Sequence, residues 1–85
     1  MPAISAFFGI VIRMYYDDHA PPHFHAKYQD QEITIKIETG EVVGHMGPKA
    51  VALIQEWRQL HQKELLANWR LAERRQPLTR ILPLE

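Results

Sequence analysis

The spacing of hydrophobic positions changes character midway along this chain. From Phe7 to Tyr16, Phe8, Ile10, Ile12, Met14 and Tyr16 fall on one alternation, and Phe7, Val11, Arg13 and Tyr15 on the other. Apolar residues on both predict a first strand over about 6–16, covered on both faces for part of its length. Asp17-Asp18-His19-Ala20-Pro21-Pro22 ends it, because two prolines cannot donate to a ladder. Two cleanly alternating segments follow, predicted as strands over about 23–29 and 31–38. Phe24, Ala26 and Tyr28 share one face of the first, and Ile33, Ile35 and Ile37 share one face of the second. A tight turn at Gln29-Asp30 places Phe24 beside Ile35, Ala26 beside Ile33 and Lys27 opposite Glu32. The faces are fixed more firmly than the register, since a two-residue slip preserves them. After a turn at Thr39-Gly40-Glu41, residues 42–45 form a short fourth strand.

Beyond Gly47-Pro48 the period becomes helical, with Pro48 suited to the first position of a helix. Val51, Ile54 and Trp57, with Leu53 and Leu60, recur at three- and four-residue spacing, the stripe of a helix facing a sheet. Leu65, Leu66, Trp69 and Ala72 continue it, so the helical region runs over about 48–75. An unbroken helix would measure about 40 Å at ~1.5 Å per residue, too long for a domain this small. A bend or break near His61-Gln62-Lys63 is expected, giving one long bent helix or two consecutive ones. The tail, 76–85, is apolar but flanked by Pro77 and Pro83 and cannot be a regular helix. It either packs on the uncovered sheet face or docks against a partner. The predicted fold class is therefore α+β: a three- to four-stranded antiparallel sheet with C-terminal helices packed on one face.

The 85 residues make a single domain, 1–85, with a thin core. There are no cysteines, which excludes disulfides, thiolate metal sites and a cysteine nucleophile and favours the cytoplasm. The apolar run Phe7–Ile12 is too short to span a membrane, and no basic leader precedes it. The formal net charge is zero with neutral histidines, so no global field draws nucleic acid in. Five histidines in so short a chain are the notable feature of the composition.

His23-x-His25 is the sharpest candidate for chemistry. Residues two apart in a strand point the same way, roughly 6–7 Å apart. Two such imidazoles can share general acid and base roles, with Arg13 or Lys27 steadying phosphate charge, or can bind one metal ion. As a metal site, His23 and His25 would be joined by His19, with Asp17 and Glu38 as further donors. No spacing here matches a zinc signature, so no cofactor is expected, and a divalent metal stands only as the alternative. Solvent-facing strand positions also carry histidine without function, and Asp17-Asp18 reads first as turn chemistry. Arg70, Arg74, Arg75 and Arg80 form a basic cluster that can meet RNA or an acidic partner, or simply complement a helix end. No Gly-rich phosphate loop, hydrolase nucleophile or HExxH motif is present.

Several stretches carry a family resemblance. They are Met1-Pro2 through Ser5, Phe7 through Ile12, Met14-Tyr15-Tyr16-Asp17-Asp18-His19, and above all Pro21-Pro22-His23-Phe24-His25-Ala26. Thr39-Gly40-Glu41-Val42 and the helical residues Glu56-Trp57, Leu60-His61, Glu64-Leu65-Leu66 and Asn68-Trp69 extend it. Over nearly its full length the chain resembles a family of small bacterial proteins, domain of unknown function 4160. Genes of that family often neighbour those of domain of unknown function 2442, and such pairs look like type II toxin–antitoxin modules. The resemblance implies a toxin-like component, acting on RNA or translation and neutralised by a small cognate antitoxin-like protein. Gln29-Asp30-Gln31 departs from the pattern by lacking the glycine expected in the hairpin turn. An exposed apolar face or the tail, with Leu82 at its centre, would receive that partner. The alternatives are a non-catalytic protein-binding module and a histidine-based metal-binding domain, neither involving a membrane.

Overall fold

The computed structural model describes residues 3–85; Met1 and Pro2, where the resemblance begins, lie outside the described residues. Five strands, β1 (Ala3–Phe7), β2 (Ile10–Arg13), β3 (His23–Tyr28), β4 (Gln31–Lys36) and β5 (Val42–Gly44), pair in chain order as an antiparallel meander. Two helices follow, α1 (Pro48–Leu60) and α2 (Gln62–Glu73).

The predicted first strand is two strands, so the sheet has one more than the upper expectation. Phe8 and Gly9 form a two-residue hairpin loop, with φ +49 and +81, between the paired residues Phe7 and Ile10. Positive φ at both loop positions is the geometry whose twist matches that of the flanking strands. Phe8 masks the turn by prolonging an apolar run, and its side chain is 59% exposed. The two apolar alternations thus belong to separate strands: Ile10, Ile12 and Met14 are buried after the turn, and Phe7 before it. A bulge between Ala3 and Ser5 turns both Ile4 and Ser5 inward.

The β3–β4 hairpin takes the expected register, with Phe24 opposite Ile35, Ala26 opposite Ile33 and Lys27 opposite Glu32. Lacking a glycine, its turn places Gln29 itself at φ +56. The strands stop short of the predicted ends, at Tyr28, Lys36 and Gly44.

Pro48 opens α1, and the helical region breaks at His61, which has φ −123 and ψ 27. Ala50, Ile54 and Trp57 of α1 and Leu65, Trp69 and Ala72 of α2 bury against the sheet isoleucines and Phe24. Leu60, expected on that stripe, is 64% exposed, because the break gives its place to the next element. Arg58 is buried unexpectedly; its Nη1 donates to the Ile37 carbonyl at 2.9 Å and its Nε to Gln55 Oε1 at 2.8 Å.

The tail packs on its own chain, though not across the open sheet face. Asn68, buried in α2, accepts from the Thr79 N–H at 2.8 Å and donates to the Thr79 carbonyl at 2.7 Å. The Ile81 N–H donates to Ile4 O at 2.8 Å, capping the edge of β1, and Trp57 Nε1 donates to Leu82 O at 2.8 Å. Ile81 and Leu84 enter the core while the Leu82 side chain stays 73% exposed. No helix among the described residues is long and apolar enough to cross a membrane.

Candidate metal centre

His23 and His25 open β3, and strand alternation turns both rings to one side, away from the buried Phe24 and Ala26. Their centroids lie 5.4 Å apart. The loop from β2 returns over them, and Asp18 completes the group. Asp18 Oδ2 lies 2.9 Å from His23 Nε2 and 3.1 Å from His25 Nε2. All three side chains are between 14% and 18% exposed.

The surroundings orient each ring. His23 Nδ1 lies 2.8 Å from the Pro21 carbonyl, which only accepts, so this nitrogen carries a hydrogen. Trp69 of α2 lies against the same ring, with centroids 5.2 Å apart. His25 Nδ1 lies 3.6 Å from Glu32 Oε2, and the Tyr15 ring meets the imidazole edge-on at 4.3 Å. Burial raises the Asp18 carboxyl. The His25 hydrogen bond, the nearby His23 charge and the His19 N–H outweigh it and hold the group below its ordinary 3.8. Asp18 is thus ionised at neutral pH.

This arrangement suits a cation better than a metal-free acid–base pair. Three of the four ring nitrogens already face oxygen acceptors within hydrogen-bond distance. These contacts turn those nitrogens toward protein oxygens. Donor atoms held about 2.0–2.2 Å from one cation at ordinary angles are roughly 2.8–3.6 Å apart, which matches the 2.9 and 3.1 Å separations. The three donor atoms lie within 4.8 Å of one another. The remaining nitrogens face a carbonyl and a carboxylate, as outer partners of metal-ligating histidines do. Two imidazoles and a carboxylate suit first-row divalent ions and leave coordination positions open. Beside them is a recess of about 330 Å³, lined among others by Pro21, Thr34, Lys36 and Val43.

The other predicted site residues are placed differently. His19 lines the recess, but its side chain is 94% exposed and its Nδ1 is 3.6 Å from the outer oxygen of Asp18. The group placed to hold an ion joins Asp18 to His23 and His25 and does not include His19. Arg13 pairs across the sheet with His25, and Lys27 lies further along β3 beside Glu32; neither lines the recess. Asp17 and Glu38 are exposed and outside the donor set. Arg75 is taken up by Asp17, with Nη2–Oδ2 at 2.7 Å and Nε–Oδ1 at 3.1 Å, whereas Arg70, Arg74 and Arg80 are exposed. Asp18 was hidden by its place in a turn-forming pair, and no fixed period links it to the histidines.

Residues 9–70 match the family described as domain of unknown function DUF4160, a span that contains Asp18, His23 and His25. No curated protein and no solved structure matches the chain.

Proposed function

For this chain, which belongs to the DUF4160 family, we propose a divalent-metal-binding domain whose centre is Asp18, His23 and His25. The observation that carries this reading is the convergence of both Nε2 atoms on one carboxylate oxygen, with the remaining nitrogens facing oxygen partners. A bound cation would supply Lewis acidity and lower the pKa of a coordinated water toward neutrality. Around it, Pro21 and Trp69 hold the His23 ring while Tyr15 and Glu32 orient His25. Lys36, on the recess wall, supplies positive charge for an anionic substrate, although Glu41 shares its ammonium group.

On this reading the domain is a toxin-like component of a two-protein bacterial module that hydrolyses RNA phosphodiester bonds in the cytoplasm. A small antitoxin-like protein would neutralise it. Elemental analysis of protein made without a histidine tag is the first test, followed by titration with zinc, manganese, iron, cobalt and nickel. One equivalent is expected in the wild type and none in His23→Ala/His25→Ala; failure of every metal to bind the wild type refutes the centre. Induced expression in a bacterium tests the role. Growth arrest by the wild type and not by the double variant is expected, and equal arrest by both removes the histidines from the mechanism. The exposed Leu60 and Leu82, which border a shared recess with Pro83, favour a second reading as a non-catalytic binding module. Activity that survives histidine replacement but disappears in Leu82→Asp would select it.

A further inference from the structure

Of the three proposed metal donors, Asp18 alone sits on a loop, between β2 and β3. Strand pairing fixes the histidines relative to each other, but the position of Asp18 depends on what holds that loop. Its neighbour Asp17 makes a two-pronged ion pair with Arg75, just past the C-terminal end of α2, at 2.7 and 3.1 Å. Both residues have left-handed backbone, with φ +61 at Asp17 and +56 at Arg75. This conformation is disfavoured for residues with a Cβ, although aspartate tolerates it better than most. Each half of the contact therefore comes from a turn that aims one side chain across a 58-residue separation. Beneath the pair, Tyr15, Asp17 and Asp18 meet Trp69, Ala72 and Glu73 around a void of only about 10 Å³. The ligand loop thus lies directly on the last turns of α2.

We propose that Arg75 is a positioning residue for the metal centre: by gripping Asp17 it holds the loop so that Asp18 Oδ2 meets both imidazoles. This rests on the proposed metal reading and adds control of that site by the C-terminal end of α2. The pair itself is well exposed, at 73% for Arg75 and 57% for Asp17, so it adds little to global stability. Its effect falls on loop order. Without it, a cation must order the loop as it binds, and affinity drops. Linkage makes the relation reciprocal, so bound metal must strengthen the grip.

The test is metal affinity, by titration with zinc and with cobalt, of wild type, Arg75→Ala, Asp17→Asn and the double variant. Each single change is expected to weaken affinity about tenfold, as loss of outer-shell support does. The double variant should be no weaker than either single, because both remove one contact. Arg75→Lys should recover part of the loss. Raising the salt from ~0.05 to ~0.5 M, across which screening becomes strong, should weaken cobalt binding in the wild type more than in Arg75→Ala. The visible cobalt spectrum should change shape in the single variants, while the metal-free proteins melt within a few degrees of one another. Unchanged affinity and spectrum in both single variants would overturn the proposal and leave the metal centre standing. Additive losses would also overturn it. If the wild type binds no metal, the centre and the positioning role fall together.

Discussion

Replacing Asp18 with asparagine preserves the shape of the side chain and removes its charge, isolating what the carboxylate contributes. Its Oδ2 faces both imidazole nitrogens, at 2.9 and 3.1 Å, and the side chain is 16% exposed. A buried hydrogen bond to a charged group contributes about 1.5–3 kcal/mol. Sharing one oxygen and partial access to water bring the pair to about 1–2 kcal/mol. Asp18→Asn should lose that amount at pH 7 in the absence of metal. With a urea slope of about 1 kcal/mol per M, the midpoint falls by ~1–2 M.

The pH dependence has a definite sign. The folded carboxyl titrates below its ordinary 3.8, so the unfolded chain binds the proton more readily and stability rises with pH. The contribution is complete above the ordinary value and is lost as pH falls through the lowered one. A protonated Asp18 resembles asparagine, so the two proteins should converge in acid. Urea unfolding with chelator present, from about pH 7 to 2.5, is followed through tryptophan fluorescence, since Trp69 lies against His23. A metal present at a hundred times its dissociation constant should add about 2.7 kcal/mol to the wild type and little to the variant. A stability difference independent of pH would refute the charge argument, as would no difference at pH 7.

Gln29→Gly should stabilise the protein by about 0.5–1 kcal/mol, because Gln29 sits at φ +56 in the β3–β4 turn; thermal melting reads it, and a lower midpoint counts against the strain. Asn68→Ala removes both tail contacts of a residue 1% exposed and should cost about 2–3 kcal/mol. Faster hydrogen exchange at the Ile81 amide than at the β3 amides would locate the loss in the tail. Ser5 is fully buried and its hydroxyl has no partner among the described residues. Ser5→Ala should therefore raise stability by roughly 1 kcal/mol, and a loss in urea unfolding would show that the hydroxyl is satisfied.

What was legible in the sequence is what short-range geometry dictates. His23 and His25 had to face the same way because a strand alternates, and Phe24 had to meet Ile35 once Gln29-Asp30 was the turn. The helix break at His61 followed from length, since one straight helix would have overhung the sheet. Phe8 concealed the first hairpin, because an aromatic residue in a left-handed turn looks like more strand and Gly9 alone marks the bend. Asp18 and the Arg75–Asp17 pair depend on how a proline-bearing loop folds back and on where α2 ends. No local periodicity encodes either. The tail's two prolines excluded a regular helix, but its seat beside β1 is set by Asn68 and Trp57 on distant turns.

Counting hydrogens around His23 explains why one constellation can be ready for a cation and still fold without one. The Pro21 carbonyl requires a hydrogen on Nδ1, and the ionised Asp18 requires either a hydrogen or a cation at Nε2. Without metal, Nε2 meets the Asp18 oxygen directly, at 2.9 Å. A bound cation would be held through the Nε2 lone pair, while Nδ1 would keep its hydrogen toward the Pro21 carbonyl. A cation would therefore replace the direct Nε2–Asp18 contact and leave the Pro21 contact in place. His25 differs only in that its outer nitrogen faces the Glu32 carboxylate at 3.6 Å. A pair of histidines working as acid and base would need lone pairs and hydrogens directed toward a substrate. Here they converge on Asp18, which favours coordination over direct proton transfer.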